Sequence, residues 1–146
     1  MKCTILAIGQ KMPPWCKTAC DEYSKRLQRF MKCSFIEIPT SSKENESQEL
    51  IRKISTTDTV IALEVRGEAW STEQLSKNIA NWQQAGNDLI FMIGGPDGLS
   101  STCLQRANKQ WSLSALTFPH MLVRVILWEQ LYRATSFLAN HPYHRE

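Results

Sequence analysis

The sequence lacks several features that would settle its class at once. None of its apolar runs approaches the ~18–20 residues needed to span a bilayer. The opening MKCTILAIGQKMPPW has an apolar run too short for a signal-peptide core and no small-residue cleavage site, so cytoplasmic residence is expected. The cysteines, Cys3, Cys16, Cys20, Cys33 and Cys103, form an odd set of five. Cys16 and Cys20 are four apart, but no second Cys/His pair at ligand spacing follows nearby, so no metal site is expected. The thiols read as reduced, structural groups that behave as small hydrophobes. A net charge of +3 is too small by itself to announce a nucleic-acid binder.

What is present fits a single soluble globular domain of 146 residues with 42% apolar residues. The charge is unevenly spread. Residues 1–38 hold seven Lys/Arg against three acids, residues 39–100 hold five against nine, and residues 101–146 hold five against two. Two basic ends flank an acidic middle, and all three histidines lie in the last segment. If the ends converge in space they form a basic face suited to phosphate backbones; ordinary solvated charge is the other reading.

Strand and helix patterns alternate. Residues 3–9 (CTILAIG) form a compact apolar run with β-branched residues, ending in glycine: a buried strand. Pro13-Pro14 opens a helix whose apolar stripe, Trp15, Ala19, Tyr23, Leu27 and Phe30, runs to about Met31. Residues 34–39 read as a second strand and residues 59–63 as a third, with a polar loop or frayed helix start at 40–49 between them. Ser71-Thr-Glu-Gln74 fits a capping box for a helix to about Ala85, stopped by Gly86. Residues 89–93 (LIFMI) form a strand buried on both faces, and a short helix follows over 101–108. Residues 111–116 alternate like a fifth, half-exposed strand. Pro119 opens the last helix, 120–138, which is apolar nearly all round its first half; a subunit interface is the economical explanation. The fold class is α/β with a mainly parallel sheet flanked by helices, in one domain.

After Ile93 the stretch FMIGGPDGLS places glycines at 94, 95 and 98. The dinucleotide fingerprint needs other offsets directly before a long helix, and the P-loop needs a lysine that is not there. What remains is a sharp turn at the C-terminal end of a buried strand, where open α/β sheets bind ligands. Spacing alone leaves a ligand-binding turn and a plain strand-to-helix turn equally open. Two other strand ends can join it: LEVRG from Leu63 and SLSALTF from Ser112. Among these three loops a flat group such as adenine can lie between apolar side chains and backbone amides.

IGGPDGLS, followed by SLSALTFPHMLVRVILWEQLYRA and the terminal HPYHR, closely resembles the RlmH family, SPOUT-class methyltransferases that modify a pseudouridine of large-subunit ribosomal RNA. The resemblance extends to ILAIGQKMPPW and VIALEVRGEAWST. It is most specific in the C-terminal third and weakest over residues 40–55, where this chain is shorter than the family norm. It implies a SPOUT-type α/β domain with a C-terminal trefoil knot, one of the rare exceptions to un-knotted topology. It further implies S-adenosylmethionine as cofactor, held at Leu63, Gly94, Gly95, Leu113, Ser114, Ala115, Leu116, Thr117 and Phe118. The implied partners are a second copy of the chain and 23S rRNA within the assembled 70S ribosome. The implied reaction is methylation of pseudouridine N3 in helix 69.

That chemistry needs positioning for an in-line displacement and a route for the N3 proton. His144, Tyr143, Arg145 and His120 are the catalytic candidates, with Glu129 and His141 behind them. In the tail, Tyr143 can stack on a base, Arg145 can clamp phosphate and His144 can take or relay a proton. The plainer readings are a polar tail and, for His120, a helix-start residue bonding locally. Arg124, in an apolar segment, needs a partner, either an acid across a dimer interface or the RNA, and reads as more structural than catalytic. A non-enzymatic module that binds RNA or ribosomes through the same basic ends is the alternative function, and it predicts no cofactor affinity.

Overall fold

A computed structural model of the protein describes residues 1–145. The elements are β1 (Cys3–Ile8), α1 (Pro14–Leu27), β2 (Cys33–Ile38), α2 (Lys43–Arg52), β3 (Thr59–Ala69), α3 (Thr72–Ala85), β4 (Leu89–Ile93), α4 (Ser101–Arg106), β5 (Lys109–Ser112) and α5 (His120–Leu138). A 3₁₀ turn over Pro142–Arg145 follows. All pairings are parallel, in the order β2-β1-β4-β3-β5.

The central strands are apolar on both faces because helices cover both. Cys3, Ile5, Ala7, Leu89, Phe91 and Ile93 pack with α1, α3 and α5, while Leu6, Ile8, Ile90 and Met92 pack with α2 and α4. Period-two side chains thus feed two separate cores from one sheet.

Local chemistry explains where the elements stop. The capping box forms in full: Ser71 Oγ accepts from Gln74 N, and Gln74 Oε1 accepts from Ser71 N. Gly86 closes α3 with φ +84°, a left-handed cap. The polar segment after β2 becomes helix α2, because Ser42 caps it and Glu44 and Glu46 sit on the positive end of its dipole. Only Leu50 supplies a large buried apolar side chain there, so apolar spacing could not reveal it.

Two strands differ from the sequence pattern. β5 ends at Ser112 instead of running to Leu116. Ser112 Oγ donates to the Ser114 carbonyl at 2.8 Å and Ser114 Oγ accepts from Leu116 N at 3.0 Å, so local side-chain bonds replace the ladder. β3 instead extends to Ala69, with Leu63 and Glu68 both registered against Trp111 and the residues between them bulged out. Both departures occur at the C-terminal edge of the sheet.

Candidate functional site

The glycine stretch is a tight turn that hugs the sheet. Gly98 N donates to Gly95 O at 2.9 Å, with Pro96 and Asp97 at the corner and Gly98 at φ +75°. A Cβ on Gly94 would lie 2.6 Å from the Gly98 carbonyl carbon, so only glycine lets the two limbs of the turn approach. Ser100 then caps α4, accepting from Cys103 N at 3.2 Å.

This turn forms one wall of a cavity of about 400 Å³ at the C-terminal ends of β4, β3 and β5. The β3 end contributes Leu63, Glu64 and Val65, and the loop from Ser112 to Pro119 closes the other side. His120 and Val123, in the first turn of α5, complete it. The volume lies in the ~300–1,000 Å³ range of small-molecule sites, and the position is where open parallel sheets take ligands. Trp111, also on the wall, is fixed by stacking on Trp70 at 5.0 Å and 17°.

Leu63, Gly94, Gly95, Leu113, Ser114, Leu116, Thr117 and Phe118 all line this cavity, as does His120. Ala115 lies on the same loop, exposed, and is not part of the wall. Glu64, Val65, Trp111 and Val123 line it as well without having been singled out. For Glu64 and Val65 the signal was available: they follow Leu63 in a strand whose end was already placed at the site.

His144, Tyr143 and Arg145 stand elsewhere in the same chain. Their 3₁₀ turn folds back on the second half of α5. Tyr143 Oη donates to Glu129 Oε1 at 3.1 Å, its ring lies 4.4 Å from that of Tyr132, and the Arg133 guanidinium sits 4.9 Å over it. Burial, and then the charge of Glu129, push the Tyr143 phenol above its ordinary value. His144 Nδ1 bonds the His141 carbonyl, and its ring meets Phe137 edge-on at 5.1 Å. Glu129 is nine residues beyond His120, about 14 Å along the helix at ~1.5 Å per residue, so cavity and tail are separate in one protomer.

Arg124 finds its partners within the chain rather than across an interface or on RNA. Its side chain is fully buried, with Nη1 donating to Glu37 Oε2 at 2.7 Å and Nη2 to the carbonyls of Ile8 and Gly9 at 3.0 and 2.8 Å. It ties α5 to the ends of β1 and β2, a structural role.

The parallel sheet thus carries a ligand cavity walled by a glycine turn and by the loop into its last helix. The chain belongs to the SPOUT methyltransferases: the family described as "Predicted SPOUT methyltransferase" matches residues 1–144. Within that class it belongs to the ribosomal RNA large subunit methyltransferase H family, being 46% identical to the member from Hahella chejuensis over 100% of both chains. Solved structures share the fold at far lower identity. A protein of Haemophilus influenzae described as a "probable methylase family protein" matches with a TM-score of 0.60 and 10% identity, over 97% of this chain and 69% of that one. A protein of Legionella pneumophila described as a "putative methyltransferase", solved with bound SAM, matches with a TM-score of 0.50 and 9% identity, over 92% of this chain and 66% of that one.

Proposed function

We propose that the chain is an S-adenosylmethionine-dependent rRNA methyltransferase that methylates N3 of a pseudouridine in helix 69 of 23S rRNA, acting as a homodimer on the assembled ribosome in the cytoplasm. The observation that carries this reading is the cavity, whose walls coincide with the loops on which the family resemblance places the cofactor. Apolar side chains such as Leu63, Ile93 and Phe118 suit a flat adenine, and Gly94 and Gly95 let the turn fold tightly against the sheet beside it.

The cofactor supplies an electrophilic methyl group on a sulfonium. The chain's part is to bind it, hold the base in line with that methyl, and provide for the N3 proton. His120 stands on the cavity wall. His144 is prepared differently: the His141 carbonyl can only accept, so it holds Nδ1 as N–H and leaves Nε2 with the free lone pair. Tyr143, its ring packed between Tyr132 and Arg133 and its hydroxyl bonded to Glu129, holds the tail in place beside His144.

The separation of tail and cavity within a protomer supports the dimer. A second copy laid antiparallel along α5 brings its own tail to this cavity. Trp15 of α1 is 55% exposed beside Ala19 and Tyr23, and Leu122, Val125 and Ile126 of α5 are only half-buried, which leaves an apolar surface for that copy. The same reading has the chain from β4 to α5 threaded as a trefoil knot.

Purified protein, labelled cofactor and ribosomes lacking the mark should yield methylated pseudouridine. Cofactor binding without transfer would overturn the substrate. Ribosome binding without cofactor affinity by calorimetry would select the non-enzymatic module instead.

A further inference from the structure

The basic N-terminal segment meets the C-terminal tail in space, away from the cavity. Lys25 is exposed in the last turn of α1, Arg29 is exposed in the turn just after it, and exposed Lys32 follows on the way into β2. Among the described residues none of the three is in an ion pair. The guanidinium of Arg29 rests 5.7 Å over the ring of Phe30.

Phe30 joins this surface to the tail. Its ring is 6.0 Å from that of His141 and 6.0 Å from that of Tyr132. Among the described residues the carboxylates nearby are already taken: Glu22 by Arg26 at 2.6 Å, and Glu129 by Arg133 at 2.7 Å and by Tyr143. The cationic charge is therefore left for something outside the chain. Phe30 is half-buried and turned to its aromatic neighbours, so the surface offers charge without a free ring on which to stack a base.

We propose that Lys25, Arg29 and Lys32 form a phosphate-binding surface that grips the ribosomal RNA backbone beside the tail. This rests on the rRNA methyltransferase reading and adds to it how the substrate is held. Arg29 presents a planar fork that can take one phosphate in two hydrogen bonds, and the two lysines act as point charges flanking it. Because Phe30, next to Arg29, meets His141 of the tail at 6.0 Å, RNA held here lies beside the tail. Contacts of this kind set affinity and register and do not read sequence.

The test compares two triple variants that each remove three positive charges. One is Lys25→Gln with Arg29→Gln and Lys32→Gln; the other is Lys43→Gln with Lys53→Gln and Lys77→Gln, all exposed and on other elements. Ribosome affinity by sedimentation, its salt dependence, and KM and kcat for methylation are measured for both and for the unaltered protein. The first triple should raise KM and Kd on the order of tenfold and lower the slope of log affinity against log salt by about 2–3, with kcat at saturation and cofactor affinity unchanged. The second should leave all of these nearly as they were. Equal losses in both triples, or none in the first, would overturn the proposal. Failure of the unaltered protein to bind or methylate ribosomes would instead overturn the parent reading.

Discussion

Tyr143 donates its phenolic hydrogen to Glu129 across 3.1 Å, and Arg133 closes on the same carboxylate oxygen at 2.7 Å. A terminal segment that is usually free is here folded onto the last helix. Tyr143→Phe keeps the ring over Tyr132 and deletes only the hydrogen bond. The expected cost is about 1 kcal/mol of stability, read from urea unfolding, with cofactor affinity unchanged. Methylation should fall at least tenfold in single turnover, and further in Tyr143→Phe combined with His144→Ala. Full activity in the double variant would take the chemistry away from the tail.

The same hydroxyl carries a pH dependence. Burial and the Glu129 charge both raise its pKa above the ordinary phenol value of 10.0. The folded chain therefore holds this proton to higher pH than the unfolded chain does. Its contribution to stability is complete below about pH 10 and is lost as pH climbs through the folded value. The ultraviolet absorbance of tyrosinate, taken as unaltered protein minus Tyr143→Phe, should rise only above the range of a free tyrosine. A difference titrating at or below that range would show the phenol to be exposed and unbonded.

Arg124 is the most buried charge of the fold, and its removal strands Glu37 and two backbone carbonyls. Breaking such a pair from one side costs roughly 3–5 kcal/mol. Arg124→Met should lower the urea midpoint accordingly with little change in slope. Arg124→Lys should recover little of it, because one ammonium cannot reproduce a guanidinium reaching Glu37, Ile8 and Gly9 together. A fully stable lysine variant would show that charge alone suffices.

The strands and the capped helices were legible because their signals are local: CTILAIG and LIFMI in the strands, the Ser71–Gln74 box, and Gly86. The site was legible as three strand ends, but not as a cavity. Its shape depends on where β5 stops, and that is decided by serine-to-backbone bonds that an alternating pattern hides. Helix α2 escaped apolar spacing because capping and dipole terms build it. The partner of Arg124 lies 87 residues away in sequence, beyond the reach of any spacing argument. The tail was legible as a run of polar and aromatic residues, yet its distance from the cavity in the same chain appears only in three dimensions.

Gly94→Ala tests the cradle. The added methyl would meet the Gly98 carbonyl carbon at 2.6 Å and Leu99 N at 2.9 Å, and backbone on both sides cannot yield as a side chain would. Overpacking of this kind costs about 1–3 kcal/mol. Calorimetry should show cofactor affinity reduced tenfold or more in protein that remains folded by circular dichroism. Gly86→Ala is the control, since nothing lies within 4 Å of its Cβ and it stands far from the cavity. It should lose some stability through its φ of +84° but bind cofactor normally. Unchanged affinity in Gly94→Ala would mean that the turn is only a connection.

Cys3 and Cys33 face each other in register on neighbouring strands, with sulfurs 3.0 Å apart. Cys16 and Cys20 also approach, to 3.9 Å, but on consecutive turns of one helix and sealed from solvent. Burial pushes the Cys20 thiol up to about 12. The hydrogen bond from Cys33, and then burial, hold Cys3 well above the usual thiol value, so the strand pair also reacts slowly at neutral pH. Half-buried Cys33 gives that pair its point of attack. With oxidised glutathione at raised pH, exchange should form a Cys3–Cys33 disulfide and release two molecules of reduced glutathione. The chain should then lose two hydrogens in mass, and Cys33→Ser should abolish the change. The bond would staple the N-terminal ends of β1 and β2, neither of which lines the cavity, so methylation should persist. A peptide map linking Cys16 to Cys20 instead would show that the helix opens more readily than the sheet edge.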